Sequence, residues 1–191
     1  MINLGVLGST NGTDLQFILD GISSRRIDAK VSVVISNKKR AYILERARSH
    51  NIHSKYIPHQ NKKRRDFDSE ISRILKKHEV DLVLLIGFMR ILSPQFCDDW
   101  KDQILNVHPS LLPKYSGGID TNIHELVLKN KDKETGCTIH FVTDELDAGP
   151  ILIQKKCLVD ADETIESLKS KVQQLEGAAF LEAIQLFYNN G

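Results

Sequence analysis

The sequence contains no apolar segment long enough to cross a membrane, and few cysteines. No stretch approaches the roughly 18 consecutive apolar residues that a membrane helix needs, and no basic region precedes the short apolar run at the N-terminus. The three cysteines, Cys97, Cys137 and Cys157, are odd in number and far apart, which excludes a disulfide framework and a Cys-x-x-Cys metal knuckle. We therefore expect a soluble, cytoplasmic protein.

An excess of charge of one sign is also absent. The chain has 26 Lys and Arg against 25 Asp and Glu, a formal net charge of +1, so nothing attracts it globally to nucleic acid or to an acidic membrane surface. We expect neither as a partner. Local sites must therefore identify the ligands of this protein.

Internal repeats and low-complexity linkers are missing as well, so the length predicts one domain, residues 1–191. Three short apolar runs, INLGVLG, KVSVVIS and DLVLLIG, are typical of strands, and segments with helical patterns separate them at 14–23, 38–50 and 66–78. This alternation predicts an α/β fold with a mostly parallel twisted sheet and helices on both faces. The fully apolar Leu82–Ile86 is expected to be a central strand.

The second half of the chain has a different pattern. DQILNV predicts a further strand, and a short helix at 121–130 follows a Pro/Gly-rich loop. TGCTIHFVT and ILIQKKCLV then predict two strands joined by DELDAGP, as antiparallel additions to the sheet. A long helix at about 164–188 ends the pattern, because Ile165, Leu168 and Val172 keep helical spacing.

The segment LGSTNGTDLQFIL joins the end of the first strand to the start of a helix. Thr13 or Asp14 is the expected helix cap, and such a turn leaves backbone N–H groups free where a phosphate can bind. It matches neither G-x-G-x-x-G nor a Walker loop, because the second glycine is misplaced and no lysine follows. These residues leave two interpretations open, a phosphate site and an ordinary turn built on Asn11 and Gly12.

Asn106 and His108 form a second candidate site, in ILNVHPSLLPKYSGG. In an extended strand their side chains point to the same side, and Pro109 prevents the strand from continuing. The pair would then lie at the carboxyl end of a strand in an open α/β sheet, where such sheets bind ligands. Amide and imidazolium N–H groups aimed at one point would stabilise an oxyanion; the alternative is a histidine that is merely hydrogen-bonded in a turn.

Carboxylates supply a third set of candidates. Asp144 and Asp147 crowd the turn DELDAGP, where acids usually cap the turn or face solvent; Asp147, if it lies near His108, would raise the pKa of that histidine. A metal site on these acids is a rival interpretation, although no histidine cluster of suitable spacing accompanies them. Glu176 falls on the apolar stripe of the last helix, so it belongs to an ion pair or faces a cleft that binds ligand hydroxyls.

Three weaker patterns have ordinary structural explanations. The run KKRR at 62–65 could bind phosphate or an acidic ligand tail, but acidic residues follow it and a solvated loop explains it. His50, His53 and His59 match no metal-site signature. GFMRILSP, at 87–94, joins apolar residues to one arginine past the central strand, which suits either the core or a wall for a flat heteroaromatic ligand.

Three segments together resemble one protein family. GFMRILSP, LNVHPSLLPKYSGG and HFVTDELDAGP are similar to motifs of the folate-dependent formyltransferases, and the similarity extends from the first strand to the final helix. It implies a Rossmann-like domain in which residues 1–100 bind the substrate phosphate and residues 101–191 hold the catalytic and folate-binding groups. It also implies direct, metal-free transfer of the formyl group of 10-formyltetrahydrofolate to the amine of 5-phosphoribosylglycinamide in purine biosynthesis. We expect a monomer or weak homodimer.

The resemblance also assigns roles to residues. It implies that His108 is the general acid and oxyanion stabiliser, that Asn106 contacts the formyl oxygen, and that Asp147, which precedes the x-Gly-Pro turn, raises the pKa of His108 and helps to relay protons. The substrate-binding residues would be Gly12, Thr13 and Asp14 for the phosphate and Glu176 for the ribose hydroxyls. The folate-binding residues would be Arg64, Met89, Arg90, Ile91, Leu92 and Asn106.

Two departures from the family pattern concern the substrate site. Asp14 stands where many relatives have asparagine, and it should repel a phosphate unless its side chain caps the helix and only its N–H reaches the ligand. KYSGGIDTNIHE differs from the histidine-containing segment of many relatives, so His124 is given no role. The glycine-rich segment 116–120 is the loop we expect to close on the ligand.

Rival functions remain open at this point. One is another folate-dependent formyltransferase or a formyltetrahydrofolate hydrolase with the same catalytic residues. A rival of another class is a non-catalytic nucleotide-binding module that uses only the first turn. The module predicts that the side chains of Asn106, His108 and Asp147 diverge in space, whereas catalysis requires them to converge on one cleft.

Overall fold

The computed structural model describes residues 1–117 and 122–190. Its strands are β1 (Ile2–Gly8), β2 (Ala29–Ser36), β3 (Ser54–Tyr56), β4 (Leu82–Ile86), β5 (Ile104–His108), β6 (Glu134–Phe141) and β7 (Ile151–Leu158). Its helices are α1 (Thr13–Ser23), α2 (Tyr42–Ser49), α3 (Arg64–Lys77), α4 (Pro94–Asp99), α5 (Ile123–Lys129) and α6 (Ile165–Asn190). The strands form one 7-stranded sheet in the order β3-β2-β1-β4-β5-β6-β7.

The predicted mixed sheet is confirmed. The first five strands of that order pair in parallel, and β6 pairs antiparallel with both β5 and β7. Central strand β4 is buried along its whole length because helices cover both faces: Leu84 and Ile86 pack in the cluster with α1, α2, α5 and α6, while Val83 and Leu85 pack in the cluster with α3 and α4.

The structure also differs from the sequence-based expectations in local detail. Helix α2 begins at Tyr42, four residues later than the pattern indicated, and α5 begins at Ile123 with Asn122 as its cap. Two short elements were not predicted: edge strand β3 has 3 residues and α4 has 6, too few to show a period. Thr121 and residues 118–120 of the expected closing loop lie outside the described residues.

The strand order creates a crevice at the carboxyl ends of the central parallel strands. From β1 the chain passes to β2 and β3 on one side, and it then returns to β4 on the other side. An open α/β sheet binds its ligands where the strand order reverses in this way, outside the carboxyl ends of the strands. The segments that follow β1, β4 and β5 meet at that crevice.

Candidate active site

A cavity of about 420 Å³ occupies the crevice. Its walls combine the turn after β1, the segment after β4, the end of β5, and residues of α5 and α6. Both halves of the chain therefore contribute to it. The predicted site residues that line the cavity are Thr13, Asp14, Met89, Arg90, Ile91, Leu92, Asn106, His108, Asp147 and Glu176.

Strand β5 places Asn106 and His108 on the same side, facing the cavity. In the pairing with β6, Asn106 lies opposite His140 and His108 lies opposite Thr138. His108 is 5% exposed; its Nε2 is 3.0 Å from the Tyr115 carbonyl oxygen, and its Nδ1 is 3.5 Å from Asp147 Oδ2. A carbonyl can only accept, so Nε2 carries a proton, and Nδ1 is the nitrogen that faces the carboxylate.

Asp147 is held in place by the turn that precedes β7. Its backbone adopts a left-handed conformation, with φ of 54°, and its Oδ2 accepts a hydrogen bond of 2.9 Å from the Gly117 N–H. The side chain is only 6% exposed. Asp144 also lines the cavity, but Asp147 is the acid beside His108. The three side chains thus converge, contrary to the expectation for a non-catalytic module.

The net shift of the His108 pKa is opposite to the expected one. Burial lowers the pKa of His108 below its ordinary value, and the opposing effects of the Asp147 carboxylate and the Tyr115 carbonyl only partly compensate. Asp147 does raise the pKa of His108, as expected. The larger effect of burial nevertheless leaves this pKa below its ordinary value, which was not expected. Without ligand, His108 is neutral near pH 7.

His140 is a member of this cluster that the sequence analysis missed. It is 3% exposed, and its Nδ1–H donates to the carbonyl oxygen of Phe141 over 2.9 Å. The unprotonated Nε2 therefore accepts the Asn106 Nδ2–H at 3.1 Å and lies 3.8 Å from Asp147 Oδ1. His140 fixes the orientation of the Asn106 amide. We call Asn106, His108, His140 and Asp147 the histidine cluster.

The first turn has the geometry of an anion site, but its cap differs from the predicted one. Gly12 is the N-cap of α1, in a left-handed conformation with φ of 66°, and no side chain caps the helix. A Cβ at Gly12 would overlap Ile43, so this position requires glycine. The expectation that Thr13 or Asp14 caps α1 is wrong. The first N–H groups of α1 consequently have no side-chain partner.

Asp14 instead turns its side chain toward the cavity. It is 7% exposed, and within the described part of the chain its Oδ1 has no hydrogen-bond partner. Burial raises the pKa of Asp14 to about 7. Gly12 itself is not among the lining residues, which include its neighbours Asn11 and Thr13.

Glu176, on α6, faces the same part of the cavity. It is 7% exposed, and burial followed by the charge of Asp14 raises its pKa well above the ordinary value. Among residues 1–117 and 122–190, none of the ion pairs includes Glu176 or Asp14. Of the two interpretations of Glu176, the structure therefore favours the cleft. We call Asp14 and Glu176 the carboxyl pair.

His124, to which the sequence analysis assigned no role, also lines the cavity. It lies in the first turn of α5 and is 8% exposed, and its Nδ1 has no hydrogen-bond partner among residues 1–117 and 122–190. Burial lowers the pKa of His124, so the imidazole is neutral near pH 7. A buried neutral histidine with an unused nitrogen can bind a polar ligand group.

The segment after β4 supplies an apolar wall. Met89, Arg90, Ile91 and Leu92 all line the cavity, and the Arg90 guanidinium lies 4.7 Å from the centre of the Phe67 ring. The Met89 N–H donates to Ser9 Oγ over 2.9 Å, which ties this wall to the end of β1. Arg64, in contrast, is exposed at the start of α3 and is not among the lining residues.

Two of the three weaker sequence patterns, the KKRR run and the three histidines, lie away from the cavity. The last two residues of the KKRR run begin α3, Lys63 is its N-cap, and Lys62 pairs with Glu70 at 2.5 Å. His50, His53 and His59 are not cavity residues, and the described ranges contain no group of three His, Cys, Asp or Glu residues placed to hold a metal ion. None of the helices in the described chain is long and apolar enough to cross a membrane.

Comparison with known proteins identifies the class of protein to which this fold and this site belong. The formyl transferase family model matches residues 2–184. The chain therefore belongs to the formyl transferase family.

Individual relatives are similar over nearly the whole chain. It is 41% identical over 187 residues to the phosphoribosylglycinamide formyltransferase of Escherichia coli, and the aligned region covers 97% of this chain and 87% of that protein. It is 40% identical over 186 residues to the trifunctional purine biosynthetic protein adenosine-3 of Gallus gallus, of which it spans only 18%. The crystal structure of glycinamide ribonucleotide transformylase 1 from Symbiobacterium toebii superposes with a TM-score of 0.94 at 39% identity, covering 100% of this chain and 89% of that one.

Proposed function

We propose that this chain transfers the formyl group from N10 of 10-formyltetrahydrofolate to the amine of 5-phosphoribosylglycinamide, a step of purine biosynthesis. The observation that carries the proposal is the convergence of Asn106, His108 and Asp147 on one cavity that also contains Asp14 and Glu176. One part of the cavity offers donors for an oxyanion, and the other offers groups for a phosphorylated sugar. Relatives named for this activity cover nearly the whole chain.

The reaction needs a donor pair and a proton carrier. The amine nitrogen attacks the formyl carbon, and the carbonyl oxygen becomes an oxyanion. Asn106 donates a hydrogen bond to that oxygen, and His108 does so once its Nδ1 has taken up a proton. The amine then loses a proton, the bond from carbon to N10 breaks as N10 gains a proton, and the carbonyl re-forms. The products are the formylated amine and tetrahydrofolate.

Asp147 supports the proton transfers through His108. The Nε2 proton of His108 is held by the Tyr115 carbonyl at 3.0 Å, so the exchanged proton is the one on Nδ1, 3.5 Å from Asp147 Oδ2. Because burial lowers the pKa of His108, the imidazolium is a strong acid that gives up its proton readily. The carboxylate stabilises that cation during the transfer.

The substrate is held at the start of α1 and by α6. The free N–H groups of the turn at Gly12, Thr13 and Asp14 bind the phosphate, and Glu176 accepts hydrogen bonds from the ribose hydroxyls. The folate pterin packs against the wall formed by Met89–Leu92. Arg64 is assigned to the acidic tail of the folate, which extends out of the cavity.

A transfer assay distinguishes this proposal from its closest rival. Purified protein is incubated with 10-formyltetrahydrofolate and either 5-phosphoribosylglycinamide or water alone as the acceptor. Formylated product with the first acceptor, and no formate without it, supports the transferase. Formate release without the amine would identify a hydrolase, and turnover with another amine acceptor only would identify a different formyltransferase.

A further inference from the structure

The carboxyl pair is unusual because two buried acids face one cavity, and neither has an ion-pair partner among the described residues. Asp14 and Glu176 are each 7% exposed and both line the cavity. Asp14 Oδ1 has no hydrogen-bond partner, and the ion pairs within residues 1–117 and 122–190 leave out both acids. The charge of Asp14 raises the pKa of Glu176, so the two buried carboxyl groups cannot both ionise without a large cost.

The backbones that carry the two acids are held at a fixed separation, because α1 and α6 pack closely. Gly177, next to Glu176, lies against the ring of Phe17, and a Cβ at that position would overlap the ring. Phe17 is less than one turn from Asp14 in α1. The interface between α1 and α6 therefore fixes the distance between the backbones of Asp14 and Glu176. Only rotation of the two side chains can change the distance between their carboxyl groups.

The charged and titratable neighbours do not neutralise the pair. On α6, Lys169 lowers the pKa of Glu176, but burial and Asp14 raise it by more. On α5, His124 is neutral near pH 7 because burial lowers its pKa. On β6, burial raises the pKa of the Cys137 thiol to about 12. On α2, Arg46 donates to the Asn11 carbonyl at 2.8 Å and to Gln16 Oε1 at 3.1 Å.

We propose, on the basis of the function proposed above, that Asp14 binds the phosphorylated substrate as a neutral carboxylic acid that donates its hydroxyl hydrogen to the ligand. An ionised Asp14 beside the N-terminus of α1 would repel the phosphate from the N–H groups that hold it. The neutral acid has one O–H donor of similar reach to the N–H of an asparagine amide. Wherever Asp14 is ionised beforehand, binding takes up one proton from solvent, and release of the ligand returns it.

The proposal predicts how affinity depends on pH. Because burial raises the pKa of Asp14 to about 7, roughly one tenth of the sites are ionised at pH 6 and about nine tenths at pH 8. The apparent Kd rises as the competent, protonated fraction falls. Affinity for 5-phosphoribosylglycinamide should therefore decrease about tenfold from pH 6 to pH 8 through this group.

Calorimetric titration with 5-phosphoribosylglycinamide alone tests the proposal without catalysis. Binding heats measured in two buffers with different ionisation enthalpies give the number of protons taken up. The wild type should take up about one proton more than Asp14→Asn at pH 8, and the difference should nearly vanish at pH 6. The second ionisation of the phosphate, near pH 6, and the titration of His124 are common to both proteins and cancel in the comparison.

Equal proton uptake by the two proteins at pH 8 would overturn the proposal. A measurement on the wild type alone covers the case in which Asp14→Asn does not fold: infrared difference spectra at pH 8 should gain the carbonyl band of a protonated carboxylic acid when the ligand binds, and the absence of this band would also overturn it. If 5-phosphoribosylglycinamide does not bind at either pH, the proposed function itself fails, which is a different result from binding without proton uptake.

Discussion

The histidine cluster and the carboxyl pair share one cavity, but they differ in how their polar atoms are satisfied. In the cluster, Asn106 bonds to His140, His108 to Tyr115, and Asp147 to Gly117. In the region of the pair, Asp14 Oδ1 and His124 Nδ1 have no hydrogen-bond partner among the residues that the structure describes. The first region is preorganised for a reaction before any ligand arrives, whereas the second is completed by the ligand.

The largest effect should come from the preorganised region. We expect His108→Ala to lower kcat about 10² to 10³-fold, because it removes an oxyanion donor and the proton carrier. Asp147→Asn should have a loss of the same order, since the amide cannot stabilise the imidazolium. Steady-state kinetics of formyl transfer measure both.

Thermal unfolding provides the control for these two variants. Both variants should unfold within a few degrees of the wild type, because neither removes a residue of the apolar core. Near-normal turnover by either variant would contradict the catalytic roles of His108 and Asp147. The ligand-binding role of the carboxyl pair would then be the only assignment left.

The next effect should come from the ligand-completed region and should appear in KM. We expect Glu176→Ala to raise KM for 5-phosphoribosylglycinamide about tenfold to a hundredfold, because the ribose hydroxyls lose a buried acceptor. The value of kcat should change far less. Glu182→Ala is the matched control on α6, since Glu182 pairs with Lys155 at 2.6 Å on the exposed surface. Equal KM values for the two variants would make Glu176 a structural residue.

A smaller effect should appear in stability, and its pH dependence should identify Asp14. The pKa of Asp14 is raised from 3.8 to about 7 in the folded protein. Its neutral form contributes stability that is fully present below pH 3.8 and is lost as the pH rises through 7. We therefore expect the stability of Asp14→Asn relative to the wild type to increase by roughly 2–3 kcal/mol between pH 5 and pH 8.

Urea unfolding of both proteins at pH 5 and pH 8 gives this difference. The gain in free energy of unfolding should be smaller at pH 5 without vanishing, because Asp14 is neutral in the folded wild type there but still ionised in its unfolded state. A gain that is the same at both pH values would mean that packing, and not ionisation, explains the stabilisation.

The smallest effect should come from His140, which positions Asn106 and donates nothing to the ligand. His140→Ala should lower kcat about fivefold, the equivalent of roughly 1 kcal/mol, because the Asn106 amide loses one hydrogen bond. His140→Gln, whose side-chain oxygen can accept the same bond, should recover most of the loss. A fall in kcat as large as that of His108→Ala would show that His140 reacts directly.

The sequence could predict features that depend on local periodicity. Alternation along a strand placed Asn106 and His108 on one side, and Pro109 located the strand end; both agree with β5. His140 was missed because its position opposite Asn106 depends on the register between β5 and β6, which separated segments do not reveal. The predicted direction of the His108 pKa shift was wrong because burial lowers this pKa by more than Asp147 raises it. The degree of burial is a property of the assembled cavity.

The cap of α1 illustrates a different limit. Thr13 and Asp14 are good capping residues by type, but Gly12 adopts the left-handed conformation that starts the helix, and this frees the Asp14 side chain to face the cavity. Residue type alone cannot choose between these roles. The division of function between residues 1–100 and 101–191, and the expectation of a monomer or weak homodimer, remain predictions.

The contact between Gly177 and Phe17 has a genetic consequence. Neither residue lines the cavity, yet a side chain at position 177 would push α6 away from α1 and change the separation of the carboxyl pair. In a selection for cells that have lost formyl transfer, substitutions at Gly177 should therefore be recovered beside those at His108. Assays of the purified variants should distinguish them, because a high concentration of the phosphorylated substrate would restore formyl transfer by the Gly177 variants but not by the His108 variants.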